Sequence, residues 1–164
     1  MADFVFNIAL GRITELAHRI LGTGGGAQES AGAFIIALLA TSGLESDATL
    51  KDLDTLAAVV AGATNEATNT GYSRLTYDET GDGLTVTVDD STDRVDVDFT
   101  DPTWATVDND GTGAISALLV CMDFNTGSGA DSDIVPLTKH DFVVTANGGS
   151  ITATVPSGGF FRAS

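Results

Sequence analysis

At 164 residues, with 43% of them apolar, the chain can bury a real core without staples and does not have a disordered composition. Seven basic residues against 23 acidic ones leave a net charge of −16, which argues against a nucleic-acid partner and against docking on an anionic membrane. The single cysteine, Cys121 in "ALLVCMDF", excludes an intrachain disulfide framework and reads as a small buried hydrophobe.

The start, "MADFVFNIAL", carries an acid where a secretory leader needs positive charge. The longest apolar run, "AGAFIIALLA", is about half of the ~20 residues that a bilayer crossing takes. The expectation is a soluble chain made in a cytoplasm, with residues 1–164 forming one domain. Segments 1–6 and 157–164 are candidate assembly arms.

In chain order, "FVFNIALGRITELAHRIL" (4–21) places Ile8, Ile13, Leu16, Ile20 and Leu21 near helical spacing, which predicts an amphipathic helix from about Asn7. The glycines of "GTGGG" (22–26) stop it. "AFIIALLA" (33–40) is a short unbroken apolar run whose length and Phe-Ile-Ile content predict a buried strand. "DATLKDLDTLAAVVA" (47–61) predicts a second helix, with Leu50, Leu53, Leu56, Ala57 and Val60 on one face and Asp47 or Thr49 as N-cap.

From Tyr72 the hydrophobic period changes to two. "YSRLTYD" and "GLTVTVDD" around "ETGDG" predict a hairpin. "RVDVDF" puts Val95, Val97 and Phe99 on one face and Asp96 and Asp98 on the other, so those aspartates are expected on the wet face of a half-buried sheet. "ISALLVCMDF" (115–124) predicts a central strand. "FVVTA" and "SITATV" around "NGG" predict a last hairpin. The fold class is α+β: one or two N-terminal helices on a mostly antiparallel sheet of five or more strands.

The sequence offers several motifs for chemistry, each incomplete. "DNDGTG" (Asp108, Asn109, Asp110, Gly111) resembles the start of a calcium loop, but the twelfth position counted from Asp108 is Leu119 where an EF-hand needs glutamate. The pair Asp131 and Asp133 is a similar signal, and both read as ordinary loops. Transition metals need soft or imidazole ligands, and the chain holds only His18, His140 and Cys121, in no metal-binding spacing. No serine sits in a nucleophile elbow: "TGSGA" around Ser128 is not G-x-S-x-G. "LGTGGGAQES" lacks the Lys-Ser/Thr ending of a phosphate loop. The expectation is a protein that is not an enzyme and carries no cofactor and no metal.

The two ends carry the remaining signal. "DFVFN" and "GGFFRAS" place Phe4, Phe6, Phe160, Phe161 and Arg162 near the termini, and "FTDPTWATV" adds Trp104. Either these fold back on the core or they anchor another chain, since Phe, Trp and Arg are enriched where interfaces carry energy.

Over "FVFNIALGRITELAHRI", "GLESDATLKDLDTLAAV", "DDSTDRVDVDFTDPTWATV", "LLVCMDFN", "IVPLTKHDF" and "GFFRAS", the sequence resembles small virion proteins encoded by tailed bacteriophages. The resemblance implies a structural part without catalytic residues, foremost a capsid decoration (cement) protein on the outside of the head. Its implied partners are the major capsid protein and copies of itself, with a trimer favoured. Another virion component (head-tail connector, tail-associated or head-fibre protein) is the alternative, and a calcium-dependent adhesion module is the third reading.

Overall fold

The most apolar stretch of the sequence forms the centre of the structure. In the computed structural model, residues 2–25 and 27–164 are described; Met1 and Gly26, the latter within the predicted helix stop, lie outside them. Ten strands are present among the described residues: β1 (Phe4–Val5), β2 (Ala33–Ala40), β3 (Leu75–Tyr77), β4 (Thr85–Asp89), β5 (Arg94–Asp98), β6 (Thr103–Val107), β7 (Ile115–Asp123), β8 (Val135–Val144), β9 (Gly149–Thr152) and β10 (Phe161–Ala163). The helices are a short 3-10 helix (Asn7–Ala9), α1 (Ile13–Leu21), α2 (Asp47–Leu50) and α3 (Leu56–Ala61).

A five-stranded antiparallel sheet runs β1-β8-β7-β2-β3, with β7 in the middle as expected. A three-stranded sheet runs β10-β5-β4, and β6 pairs with β9 as a ribbon. The fold is therefore α+β and mostly antiparallel β.

All eight residues of β2 are buried, as are eight of the nine in β7. Strands buried on both faces need cover on both. On the face carrying Phe34 and Tyr77, cover comes from Phe99 and Phe160, which flank β5 and β10. Tyr77 and Phe99 lie 4.8 Å apart, Phe99 stacks on Phe160 at 4.7 Å, and Phe160 meets Phe34 edge-on at 5.6 Å. Helix α1 buries Ile13, Leu16, Ala17 and Ile20 and packs near β4 and β5. Side-chain alternation turns Lys139 of β8 to the opposite face, where it meets Asp47 at the start of α2.

Four sequence expectations change here. The first helix starts at Ile13, because Phe4–Val5 pairs with β8 and Gly11 breaks the run at φ 73°. The second helix splits in two. Ser46 and Thr55 are the true N-caps, accepting from the Thr49 and Ala58 N–H groups, and Thr55 at φ −138° interrupts the helix. The predicted "ETGDG" hairpin does not form: β3 pairs with β2 while β4 pairs with β5. The last hairpin fails likewise, since β8 joins the large sheet and β9 crosses to β6. In both cases the missing signal is which strand a segment pairs with, which local alternation does not specify.

Gly159 lets the C-terminal strand approach. Its φ is +79°, and a Cβ there would lie 2.1 Å from the Val97 carbonyl oxygen. Phe160 then donates its N–H to the same carbonyl at 3.0 Å. Replacing Phe160 by alanine is expected to cost about 2–3 kcal/mol in urea unfolding, whereas Arg162→Ala should leave the urea midpoint nearly unchanged.

Candidate functional site

The aspartate-rich middle of the chain forms a hairpin and the edge of a sheet. Strands β4 and β5 are joined through residues 90–93, and Asp89 shapes that turn. Its carboxylate accepts from the Ser91 N–H and hydroxyl and from the Thr92 hydroxyl, which hold its pKa down at about 2. Valine 97 and Phe99 are buried, and Asp96 turns to the other face as the alternation requires. There Arg162 of β10 grips Asp96, Nε to Oδ1 at 2.6 Å and Nη2 to Oδ2 at 3.1 Å, and lowers the carboxyl pKa. Arg94 completes the row, 3.5 Å from Asp89 and 3.3 Å from Asp96.

The loop at 108–113 is filled by a side chain. Asn69, only 3% exposed, donates its amide to the carbonyl oxygens of Asp108 (2.9 Å), Asp110 (2.9 Å) and Gly113 (3.0 Å). In a calcium loop, inward carbonyls face an ion; here they face the Asn69 amide. The Asp110 carboxylate accepts from the Thr70 N–H and hydroxyl, both at 2.8 Å, which lowers its pKa. Asp131 is bound bidentately by Arg74 at 2.6 and 2.8 Å, and Arg74 also takes Glu66 at 2.6 Å. These hydrogen bonds raise the Arg74 pKa, Asp131 first, and lower that of Asp131. Asp133 accepts from the Ala130 N–H at 3.0 Å and so closes its own turn. Among the described residues, no three His, Cys, Asp or Glu side chains stand together as metal ligands.

Lys139 is fully buried. Its ammonium lies 2.8 Å from Asp141, 3.3 Å from Asp47 and 5.4 Å from the Phe4 ring centre. The Ala2 N–H donates to Asp47 at 2.8 Å, and this bond is the largest cause of that carboxyl's lowered pKa. His140 sits in β8. Its Nε2 is 2.9 Å from the Thr138 hydroxyl and its Nδ1 is 3.6 Å from Asp3. Acid, imidazole and hydroxyl in a row resemble a nucleophile relay. Thr138 is only 2% exposed, however, so its hydroxyl satisfies the imidazole out of a substrate's reach. Burial lowers the His140 pKa, against the pull of Asp3. A groove of about 300 Å³ opens beside His140, walled by Leu118, Val120, Phe99 and Phe160. Cys121 is buried, and that burial raises its thiol pKa.

The expected assembly residues divide into two groups. Phe4 (9% exposed), Phe6 (0%) and Trp104 (3%) lie in the chain's own core. Trp104 donates its indole N–H to the Ser73 carbonyl at 2.8 Å, and the Phe4 and Phe6 rings meet at 5.0 Å. Phe160 is half-buried in the aromatic stack, Phe161 is half-buried opposite Val97, and Arg162 is exposed. Both ends of the described chain therefore fold back as strands. Asn69, Arg74 and Lys139 do the structural pairing that sequence analysis missed. A solitary cation in an apolar strand, as in "VPLTKHDF", was the available hint for Lys139. Compared with family models, with curated proteins and with solved structures, the chain matches none.

The pKa shifts set a pH dependence. Asp47, Asp96, Asp110 and Asp131 are lowered from 3.8, so their stabilisation is complete above that value and lost as pH falls through the lower folded values. His140 is lowered from 6.5, so its burial costs nothing above pH 6.5 and opposes folding progressively below it. The Tm is expected to fall in two stages on acidification, and His140→Gln should remove the stage nearer neutrality. Asn69→Ala should lower the Tm, and neither calcium nor EDTA should restore it.

Proposed function

We propose that this protein is a bacteriophage virion structural part, a decoration protein that docks on the outside of a capsid as a small homo-oligomer. The observation that carries this reading is how the acidic surface is built. The prominent aspartates are bound to turns, to Arg74 and to Arg162, which makes a rigid hydrated exterior of net charge −16. Packed DNA fills a head with like charge, so such a body fits the outer face and a more basic shell surface. The sequence resemblance gives the class, and the major capsid protein is the implied partner. Symmetric assembly, with a trimer favoured, would let several modest contacts act together.

The assembly contacts proposed at Phe4, Phe6 and Trp104 are given up, because these residues are spent inside the chain. On β10, Arg162 remains as an exposed contact and Phe161 as a half-buried one on the opposite face. Phe160 belongs to the aromatic stack, so removing the whole tail would unfold part of the core along with any contact.

Quantifying the chain in purified particles tests the reading. Hundreds of copies per particle are expected of a decoration protein, whereas a few copies would point to a connector or fibre component. Phe161→Ala with Arg162→Ala should weaken particle binding while leaving far-ultraviolet circular dichroism unchanged. Light scattering of the free protein should give an oligomer; a monomer at high concentration would overturn self-assembly.

A further inference from the structure

Strand β4 ends the three-stranded sheet, and its outer edge pairs with no strand among the described residues. A free edge offers a row of N–H and C=O groups to any extended chain that reaches it. Natural edges are commonly blunted by proline, lysine or a bulge. "TVTVD" contains neither residue, and its five-residue pairing with β5 runs without a register shift. Thr85, Thr87 and Val88 are exposed, Val88 by 58%.

Two neighbouring features say what kind of chain fits. Val88, Val95 and Ala163 are cross-strand neighbours on the core-side face. There they floor a shallow depression of about 340 Å³ at the end of the sheet. Asp90 and Asp93 stand on its rim, exposed, and their carboxylates have no hydrogen bond or ion pair among the described residues. Asp89 and Asp96, by contrast, already have their partners. The edge, whose neighbour α1 packs nearby, therefore combines backbone groups that no described strand pairs, an apolar floor and two negative charges without a described partner.

We propose that β4 is a docking edge for an extended, basic segment of a partner protein, which adds as a fourth strand to this sheet. Its β-branched side chains would lie over Val86 and Val88, and its Lys or Arg residues would face Asp90 and Asp93. A second copy of this chain fits poorly in that place. It would bring its own unpaired Asp90 and Asp93 to the junction, and residues 78–110 carry eleven acids with Arg94 as the one base. The inference goes beyond the virion reading and holds for any partner that presents such a strand.

Fluorescein-labelled peptides KVTVTVK, EVTVTVE and KVTPTVK serve as probes, read by fluorescence anisotropy and by amide shifts of the isotope-labelled full chain. The first should bind, with shifts confined to β4, residues 90–95 and β10, and with slowed exchange of the outward β4 amides. The acidic and proline peptides should bind about tenfold more weakly or worse. Asp90→Asn with Asp93→Asn, exposed turn substitutions that leave the fold intact, should weaken the basic peptide about threefold or more. Equal binding of the basic and acidic peptides, shifts elsewhere, or an unaffected double variant would each overturn the proposal. So would a dimer of the free protein that Val88→Lys dissociates, since the second copy would then be the occupant. None of these readings requires a particle, so they stand or fall apart from the decoration reading.

Discussion

The pairing of β2 with β7 sets the terms for the rest of the molecule. Eight Cα partners run from Ala33 opposite Asp123 to Ala40 opposite Ile115, with one irregularity at the Leu39/Ala40 end. Both strands are apolar on both faces, so their hydrogen bonds form out of water and neither face can be left wet. One layer comes from Phe99 and Phe160, which lie on the Tyr77 and Phe34 rings, and the other from the helical segments attached to β8. A chain with seven basic and 23 acidic residues then has its charges pressed outward, onto the hairpins and turns that the central pair does not claim.

The charged groups are consequently used as fasteners. Arg74 joins Glu66 to Asp131, Arg162 joins the last strand to β5, and Lys139 joins β8 to α2 and, over the Phe4 ring, to β1. Arg74 and Lys139 each face two carboxylates, while Arg162 shares Asp96 with Arg94, so each cation is compensated before the surplus of negative charge reaches the surface. Such pairs add little where water screens them, as at Arg162, and matter most where one member is buried, as at Lys139. In this protein a carboxylate's neighbour says more about its role than its place in an acidic run. Asp89, Asp110 and Asp131 close loops, while Asp90 and Asp93 are left over.

Much of the architecture was legible in the sequence. The unbroken apolar run at 33–40 is β2, the strongly apolar stretch at 115–124 contains β7, and strict alternation at 94–99 correctly sorted Val97 and Phe99 from Asp96. Pairing was not legible. Strand β3 pairs with β2 and not with β4, and β9 with β6 and not with β8, because partners were chosen by burial across the molecule. The helix at 47–61 misled for a local reason: Thr55 competes for the backbone of its own helix and starts a new one. Arg162 and the aspartates stood out in sequence; Lys139 left only the trace of a lone cation in an apolar strand, and Asn69 inside its loop could be recognised only once folded.

The position of β1 has a consequence for how the chain reaches this state. Phe4 lies against Lys139, so β1 is synthesised well before its partner, some 135 residues downstream. Until β8 emerges, Phe4 and Phe6 lack the strand that covers them in the folded chain. Closing so distant a contact is entropically slow. The early nascent chain is thus the stage most exposed to misassociation, and the surplus of negative charge, which repels one unfinished copy from another, protects it during that wait.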